Sequence, residues 1–339
     1  MRNELLNFFK FILIMLVCFH HTGWWSNIVH HGYIAVEFFF IISGFFLYQT
    51  YKFKRITQRE YFKRRLKRIY PTYVAILIIY MLSSIVNPNF FNEYNISING
   101  WIITAIRDLL LLQSVGVDFN VDIVRFNPPD WYISALFWGG VVLYGLLKFK
   151  YRKLILFIII VCTYSFYFIF KVGGLNDLWG YYYVFYMPLW RALAGMSTGI
   201  LLGMAIENEA IKGFLCKNVQ IFNVLTLISI GVVCFCIITP HDYDILCYLC
   251  FVCIVTNLFI PQGLERYFSR NKYFRSIPDI SFEILLLHKI LIIVSVKIAS
   301  IIGVLDIPII KYIMYAFITI SVSLFFNKKV TPFLQRIIT

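Results

Sequence analysis

The sequence predicts an all-α integral membrane protein of about ten transmembrane helices, with both termini in the cytoplasm. Of its 339 residues, 60% are hydrophobic and only 14% are charged, whereas a soluble chain carries about a quarter charged residues. The apolar residues are grouped into segments of the length that crosses a bilayer, and basic residues lie mainly between these segments. We therefore expect residues 1–339 to form a single polytopic domain in the cell membrane.

Ten apolar segments have about the required length, and an even number places both termini on one side of the membrane. If that side is the cytoplasm, most of the 31 basic residues face it, as the positive-inside rule requires. The net positive charge is therefore a topology signal, and we expect no nucleic-acid partner. The segments are 5–25, 34–51, 69–86, 128–147, 153–171, 184–206, 219–239, 244–262, 281–303 and 309–327.

Two connections between the spans carry distinct patterns. Segment 52–68 is predicted to be a cytoplasmic connection, and it ends in the cluster Arg64, Arg65 and Arg68. This cluster can meet anionic lipid or phosphate groups, or it can serve the positive-inside rule alone. The outer loop 87–127 contains an apolar stretch, Trp101–Gln113, that is too short to span the membrane and predicts an interfacial or re-entrant helix.

Lys10 and His21 lie eleven residues apart in the first span. At about 100° per residue, this spacing puts both side chains on one helix face, roughly 16 Å apart along the axis. Ionisable residues at membrane depth are candidates for function. Lys10 can alternatively extend to the inner interface and do nothing more.

His21 has the side chain best suited to accept a proton at neutral pH, so it is a candidate general base. Glu37 can orient it, as a carboxylate orients the imidazole of a catalytic dyad. The alternative is an interfacial histidine bonded to backbone or lipid headgroup. Arg191 lies in the sixth span, where its cation must be paired within the bundle. His30 and His31 fall in the outer loop between the first and second spans and are expected to be solvated.

The histidines and cysteines do not predict a metal site. Neither an H-x-H nor an H-E-x-x-H spacing occurs. Cys247, Cys250 and Cys253 have a spacing seen in iron–sulfur proteins, but they lie within an apolar segment and lack a fourth ligand. We expect buried structural cysteines and no metal.

The motifs in their order resemble the acyltransferase-3 family, ten-span membrane O-acyltransferases of bacteria. A basic residue followed by ten positions and a histidine is present as Lys10 to His21. An acidic, Phe-rich pattern is present as GYIAVEFFFIISGF, with Glu37 at the acidic position, and an Arg-rich pattern as RRLKRIYP. Shorter matches are DWYISALFW, WRALAGM with Arg191, and SFEILLLH, which ends at His288.

Two departures from the family pattern stand out. Lys10 replaces the more frequent arginine. The exchange keeps the positive charge but loses the paired hydrogen bonds that a guanidinium group can donate. The glutamate that often follows near span four is absent, because Ala135 and Leu136 come after Ser134. No SGNH-type hydrolase domain is recognisable, so a stand-alone member is expected.

The resemblance implies transfer of an acyl group, with acetyl favoured, from cytoplasmic acyl-CoA to a hydroxyl of a cell-envelope or extracellular polysaccharide or its lipid-linked precursor. It implies that His21 is the base, that Glu37 orients it, and that Arg191 stabilises the oxyanion. The donor phosphates are expected at Lys10, Arg64, Arg65 and Arg68, and the acceptor at Trp131, Tyr132 and His288.

Two other functions remain open. A transporter or flippase for sugars or lipid-linked saccharides would line its path with the same ionisable residues, although no internal repeat is evident. A structural or sensor subunit would leave Lys10, Glu37 and Arg191 without a role.

Overall fold

The protein is described from a computed structural model, for residues 3–24, 29–86, 97–116, 126–149, 151–176, 181–182, 185–268, 279–304 and 306–338. The described chain is mostly helical and contains one two-stranded antiparallel sheet, formed by β1 (Tyr181–Tyr182) and β2 (Phe185–Tyr186). The prediction of an all-α membrane protein is therefore confirmed.

The helices, in chain order, are α1 (Glu4–Thr22), a short 3₁₀ helix (Gly32–Ile34), α2 (Ala35–Lys54), α3 (Gln58–Val86), α4 (Ile98–Leu109), α5 (Asp130–Leu146), α6 (Tyr151–Val172), α7 (Met187–Glu207), α8 (Glu209–Lys217), α9 (Val219–Ile238), α10 (Asp244–Phe259), α11 (Glu265–Phe268), α12 (Ser281–Ile301), α13 (Pro308–Phe325), a π-helical turn (Phe326–Val330) and α14 (Thr331–Ile338).

Eight stretches in the described part of the chain are long and apolar enough to cross a membrane. They are α1, α2 with the 3₁₀ helix, α3, α6, α7, α9, α12, and α13 with the segment that follows it. Two further predicted spans correspond to α5, of 17 residues, and α10, of 16 residues. A helix of 16 residues is about 24 Å long, shorter than the roughly 30 Å hydrocarbon core. The count of ten spans and the cytoplasmic termini stay predictions.

The predicted connection 52–68 is mostly helical. α2 continues to Lys54 and α3 begins at Gln58, so the connection consists of residues 55–57 alone. Arg55 ends α2 with a positive φ of 43°. Lysine, arginine, glutamine and glutamate are strong helix formers, and helix therefore continues past the apolar residues at both ends of the connection.

The described chain divides into two compact units, each discontinuous in sequence. Unit 1 consists of residues 1–58 and 138–279, and unit 2 of residues 59–137 and 280–339. The prediction of one domain over 1–339 stays a prediction.

Close packing of α2 against α7 forms the centre of unit 1. A Cβ atom at Gly199 would overlap the carbonyl oxygen of Ile41, and one at Gly44 would overlap the carbonyl of Met196. The two backbones are therefore in direct contact, as small residues permit in membrane helices. The glycines of α7 at this contact recur every four residues, at Gly195, Gly199 and Gly203.

Unit 2 is tied together by tyrosine hydroxyls that bond to backbone groups. The Tyr80 hydroxyl donates to the carbonyl of Leu286 at 3.3 Å and accepts from the amide of Ile290 at 3.0 Å, joining α3 to α12. The Tyr73 hydroxyl donates to the carbonyl of Asp108 at 2.7 Å, joining α3 to α4. These bonds satisfy polar groups that would be costly to bury unpaired.

Within the predicted loop 87–127, α4 confirms a short helix, shifted by a few residues from the predicted stretch Trp101–Gln113. Arg107 and Asp108 form a buried ion pair of 2.8 Å inside the helix and do not interrupt it. Of this loop, residues 87–96 and 117–125 lie outside the described residues.

Candidate active site

Lys10 and His21 lie on one unbroken helix. α1 begins where the Asn3 side chain accepts a hydrogen bond of 2.7 Å from the amide of Leu6, and it ends at Gly23, whose φ is 66°. Lys10 is therefore in the second turn and His21 in the last turn. The same-face geometry follows from this continuity, with roughly 16 Å between the two residues along the axis.

We call the region around the last turn of α1 and the first turns of α2, α7 and α10 the His21 end of unit 1. α2 and α7 run parallel, since Phe40 meets Gly195 and Tyr48 meets Gly203. α10 runs parallel to α2, since Phe38 contacts Phe251 and Phe45 stacks on Phe259 at 3.9 Å. Their N-termini thus lie together. Glu37 is in the first turn of α2, and Arg191 is near the start of α7.

Glu37 and Arg191 form a fully buried ion pair between α2 and α7. Arg191 Nε donates to Glu37 Oε1 at 2.7 Å, and Nη2 lies 2.7 Å from the same oxygen. Both side chains are 0% exposed. The expected pairing of Arg191 within the bundle is confirmed, and its partner is 154 residues away in sequence.

The hydrogen bonds of Glu37 go to Arg191 in the described part of the chain. Oε2 of Glu37 has no hydrogen-bond partner among the described residues. The structure thus brings Glu37 to Arg191 and shows no bond from Glu37 to His21. That Glu37 orients His21 stays a prediction.

His21 adjoins a group of aromatic and imidazole rings. Its ring centroid is 5.7 Å from that of His20, and the His20 ring meets the edge of Tyr33 at 5.8 Å. The 3₁₀ helix that carries Tyr33 packs directly on α1, because a Cβ at Gly32 would lie 2.5 Å from His20 Cβ. His21 therefore lies beside a packed cluster.

This cluster contains an acid that the sequence patterns did not point to, Asp244, and the prediction of a solvated His31 is wrong. The Tyr33 hydroxyl lies 3.0 Å from both carboxylate oxygens of Asp244 and 3.0 Å from His31 Nδ1. His31 is half-buried and bonded, so it is not a solvated loop residue. The signal that could have indicated Asp244 is its position, an acid at the first residue of an apolar segment.

Lys10 forms an ion pair with Asp279 at 2.5 Å, within unit 1. The side chain of Lys10 is 19% exposed and that of Asp279 is 47% exposed. Asp279, an acid just before the ninth predicted span, is a partner that the sequence patterns did not point to. Lys10 is thus accessible at the opposite end of α1 from His21.

The three arginines expected to hold phosphates have different environments in unit 2. Arg65 donates to the Tyr61 hydroxyl and to the carbonyl of Leu136, both at 2.9 Å. Arg64 and Arg68 are exposed, one helical turn apart on α3. Arg65 is therefore tied into the fold, whereas Arg64 and Arg68 are available to a ligand.

The three residues expected at the acceptor also belong to unit 2, and all three are buried. Trp131 and Tyr132 meet edge to face at 6.1 Å at the start of α5. His288 is fully buried in α12, with Nδ1 2.7 Å from the carbonyl of Leu285. Their contact with a substrate stays a prediction.

Unit 1 thus combines a multi-pass helical fold with a buried ion pair and a candidate base at membrane depth. The sequence profile of the family described as "Acyltransferase domain" matches residues 3–328, nearly the whole chain. The chain belongs to this acyltransferase-3 family, and it is a membrane acyltransferase. No curated protein and no solved structure gives a significant match.

Proposed function

We propose that this protein transfers an acyl group, with acetyl favoured, from cytoplasmic acyl-CoA to a hydroxyl of a cell-envelope or extracellular polysaccharide or its lipid-linked precursor. The observation that carries the proposal is the single face of α1 that holds Lys10 and His21. A path along this face would link a donor on one side of the cell membrane to an acceptor on the other.

His21 serves as the base in a direct acyl transfer, and a covalent acyl-enzyme is the alternative route. An imidazole nitrogen of His21 takes the proton of the acceptor hydroxyl, and the oxygen attacks the thioester carbonyl carbon. The tetrahedral oxyanion collapses, the carbon–sulfur bond breaks, and the imidazolium returns the proton to the CoA thiolate. An ester and a free CoA thiol result, without net proton release.

Arg191 supplies the positive charge at the His21 end. A cation held in a water-excluded site stabilises a developing oxyanion more strongly than one in water, and Glu37 fixes the position of the guanidinium. Glu37 Oε2 is the carboxylate oxygen with a free lone pair for orienting His21.

For the donor, we propose that accessible cations hold the CoA phosphates. Lys10 is the candidate in unit 1, and Arg64 and Arg68 are the candidates in unit 2. Arg65 would act by holding α3 in place through Leu136.

For the acceptor, the proposal retains Trp131, Tyr132 and His288. Aromatic and imidazole side chains can stack on and hydrogen-bond to a sugar. Since these three side chains are buried, each must become accessible for that contact.

The test replaces His21 by glutamine and measures transfer of labelled acetyl groups from acetyl-CoA to de-esterified envelope glycan in isolated membranes. His21→Gln should lower the rate by a hundredfold or more, on the order of a general base's contribution. His241→Gln is the matched control, because His241 is an exposed loop histidine.

Parent-like acetylation by His21→Gln would remove the general-base role. Saccharide movement across the membrane that requires no acyl-CoA would instead support a transporter.

A further inference from the structure

His31, Tyr33 and Asp244 form a hydrogen-bonded triad that the proposed reaction does not use. The Tyr33 hydroxyl lies at its centre, 3.0 Å from His31 Nδ1 and 3.0 Å from each carboxylate oxygen of Asp244. Tyr33 is 8% exposed and Asp244 is 7% exposed. A buried chain of this kind fixes the geometry of its last member, which is His31.

Three separate elements position the triad. Tyr33 is in the 3₁₀ helix that Gly32 allows to pack on α1. The backbone amide of His31 donates to the carbonyl of Ile237 at 3.3 Å, which fastens the loop to the end of α9. Asp244 is the first residue of α10, where the helix dipole stabilises a carboxylate. The arrangement is therefore built by the fold.

The bond directions determine the tautomer of His31. A tyrosine hydroxyl has one hydrogen, and the carboxylate of Asp244 in its ionised form can only accept it. The Tyr33 oxygen must then accept from His31, so Nδ1 carries the imidazole proton. In the neutral ring, Nε2 is consequently an acceptor with an open lone pair.

Nε2 of His31 is enclosed and has no hydrogen-bond partner among the described residues. A buried acceptor without a donor costs free energy, and such an atom calls for an explanation such as a ligand. The charged residues that interact with Asp244 are Asp242, Arg191 and Glu37. Because three of these four side chains are acidic, the surroundings disfavour an anionic ligand at Nε2.

We propose that His31 Nε2, once it becomes accessible, accepts a hydrogen bond from a hydroxyl of the acceptor glycan, with Tyr33 and Asp244 as positioning residues. The inference rests on the proposed function, and it specifies the acceptor further. Tyr33 and His20 lie between His31 and His21 in the chain of ring contacts. The hydroxyl bound by His31 is therefore not the hydroxyl that is acylated, so the acceptor carries several hydroxyls.

Two substitutions distinguish the roles of the two ring nitrogens of His31. His31→Asn can still donate to Tyr33 but lacks an acceptor at the Nε2 position, whereas His31→Gln can place an oxygen near that position. With de-esterified envelope glycan as the probe, His31→Asn should raise KM about tenfold, the loss of about one hydrogen bond. Its kcat should change less than about twofold.

The controls make this result specific. His31→Gln should restore much of the affinity, and His30→Gln should match the parent, because His30 adjoins the triad without belonging to it. Tyr33→Phe should raise KM. The double variant Tyr33→Phe/His31→Asn should have nearly the same KM as His31→Asn alone. An unchanged KM in His31→Asn, or a fall in kcat alone, would overturn the proposal.

A second measurement needs no activity. In ¹⁵N-histidine-labelled protein, the signal lost in His31→Asn should show a protonated Nδ1 and a bare Nε2, and Tyr33→Phe should mix the two tautomers. A protonated Nε2 in the parent would contradict the hydrogen-bond directions of the triad, and with them this proposal, even if acyl transfer is confirmed. Conversely, the tautomer can be observed even if His21→Gln disproves the proposed function.

Discussion

Two of the ion pairs in unit 1 each hold a cation expected to act in the reaction, and these two pairs differ in burial. Arg191 and Glu37 are both 0% exposed, whereas Lys10 and Asp279 are 19% and 47% exposed. The first pair joins two packed transmembrane helices, and the second joins α1 to a residue at the surface. The comparison separates a cation fixed by the fold from one that can exchange its partner for a ligand.

The energetic consequence follows from desolvation. Removing one member of a buried pair leaves the other charge uncompensated and costs about 3–5 kcal/mol. An exposed pair is screened by water and contributes about 0–1 kcal/mol. Substitutions in the buried pair should therefore mainly lower the free energy of unfolding. Substitutions in the exposed pair should mainly lower the affinity for the ligand.

The largest expected effect is at the buried pair. Arg191→Met should lower the free energy of unfolding by about 3–5 kcal/mol, because the carboxylate of Glu37 loses its partner. The measurement is unfolding in mixed detergent micelles, followed by circular dichroism. The double variant Glu37→Gln/Arg191→Met should recover part of the loss, since both charges are gone. Equal stability of the single variant and the parent would contradict this account.

The next effect concerns the helix contact that carries the buried pair. Gly199→Ala should cost about 1–3 kcal/mol, because its methyl group would overlap the Ile41 carbonyl. Gly231→Ala is the matched control in α9, since a Cβ there meets no atom within 4 Å. Its higher helix propensity should raise stability by up to about 1 kcal/mol. The prediction fails if the two variants behave alike in the same unfolding measurement.

The smallest effect on stability is expected at the exposed pair. Lys10→Ala should change the free energy of unfolding by less than about 1 kcal/mol. It should nevertheless raise KM for acetyl-CoA severalfold, while Lys10→Arg keeps it near the parent value. A parent-like KM for acetyl-CoA in Lys10→Ala would remove Lys10 from the donor site.

The sequence predicted the features that depend on local spacing. The helix that joins Lys10 to His21 follows from apolar residues and a constant rise per residue, and the structure keeps it intact. That Arg191 needs a partner followed from the cost of a lone cation in the bundle. Its identity did not, because Glu37 is 154 residues away and only the packing of α2 on α7 joins them.

The surroundings of His31 in the triad likewise could not be predicted from local spacing. His31 was expected to be solvated because its neighbours in sequence form a short loop. The carbonyl of Ile237 and the carboxylate of Asp244, both more than 200 residues away, determine its surroundings. Spacing within one segment therefore cannot reveal a site assembled from three segments.

The length of α3 has a consequence for the binding of anions. Its 29 residues extend over about 43 Å, roughly 13 Å more than the hydrocarbon core. The arginines near its start consequently belong to an ordered helix and not to a flexible connection. A flexible connection would lose conformational entropy each time it closed on an anion, whereas the helix lost that entropy once, when the chain folded.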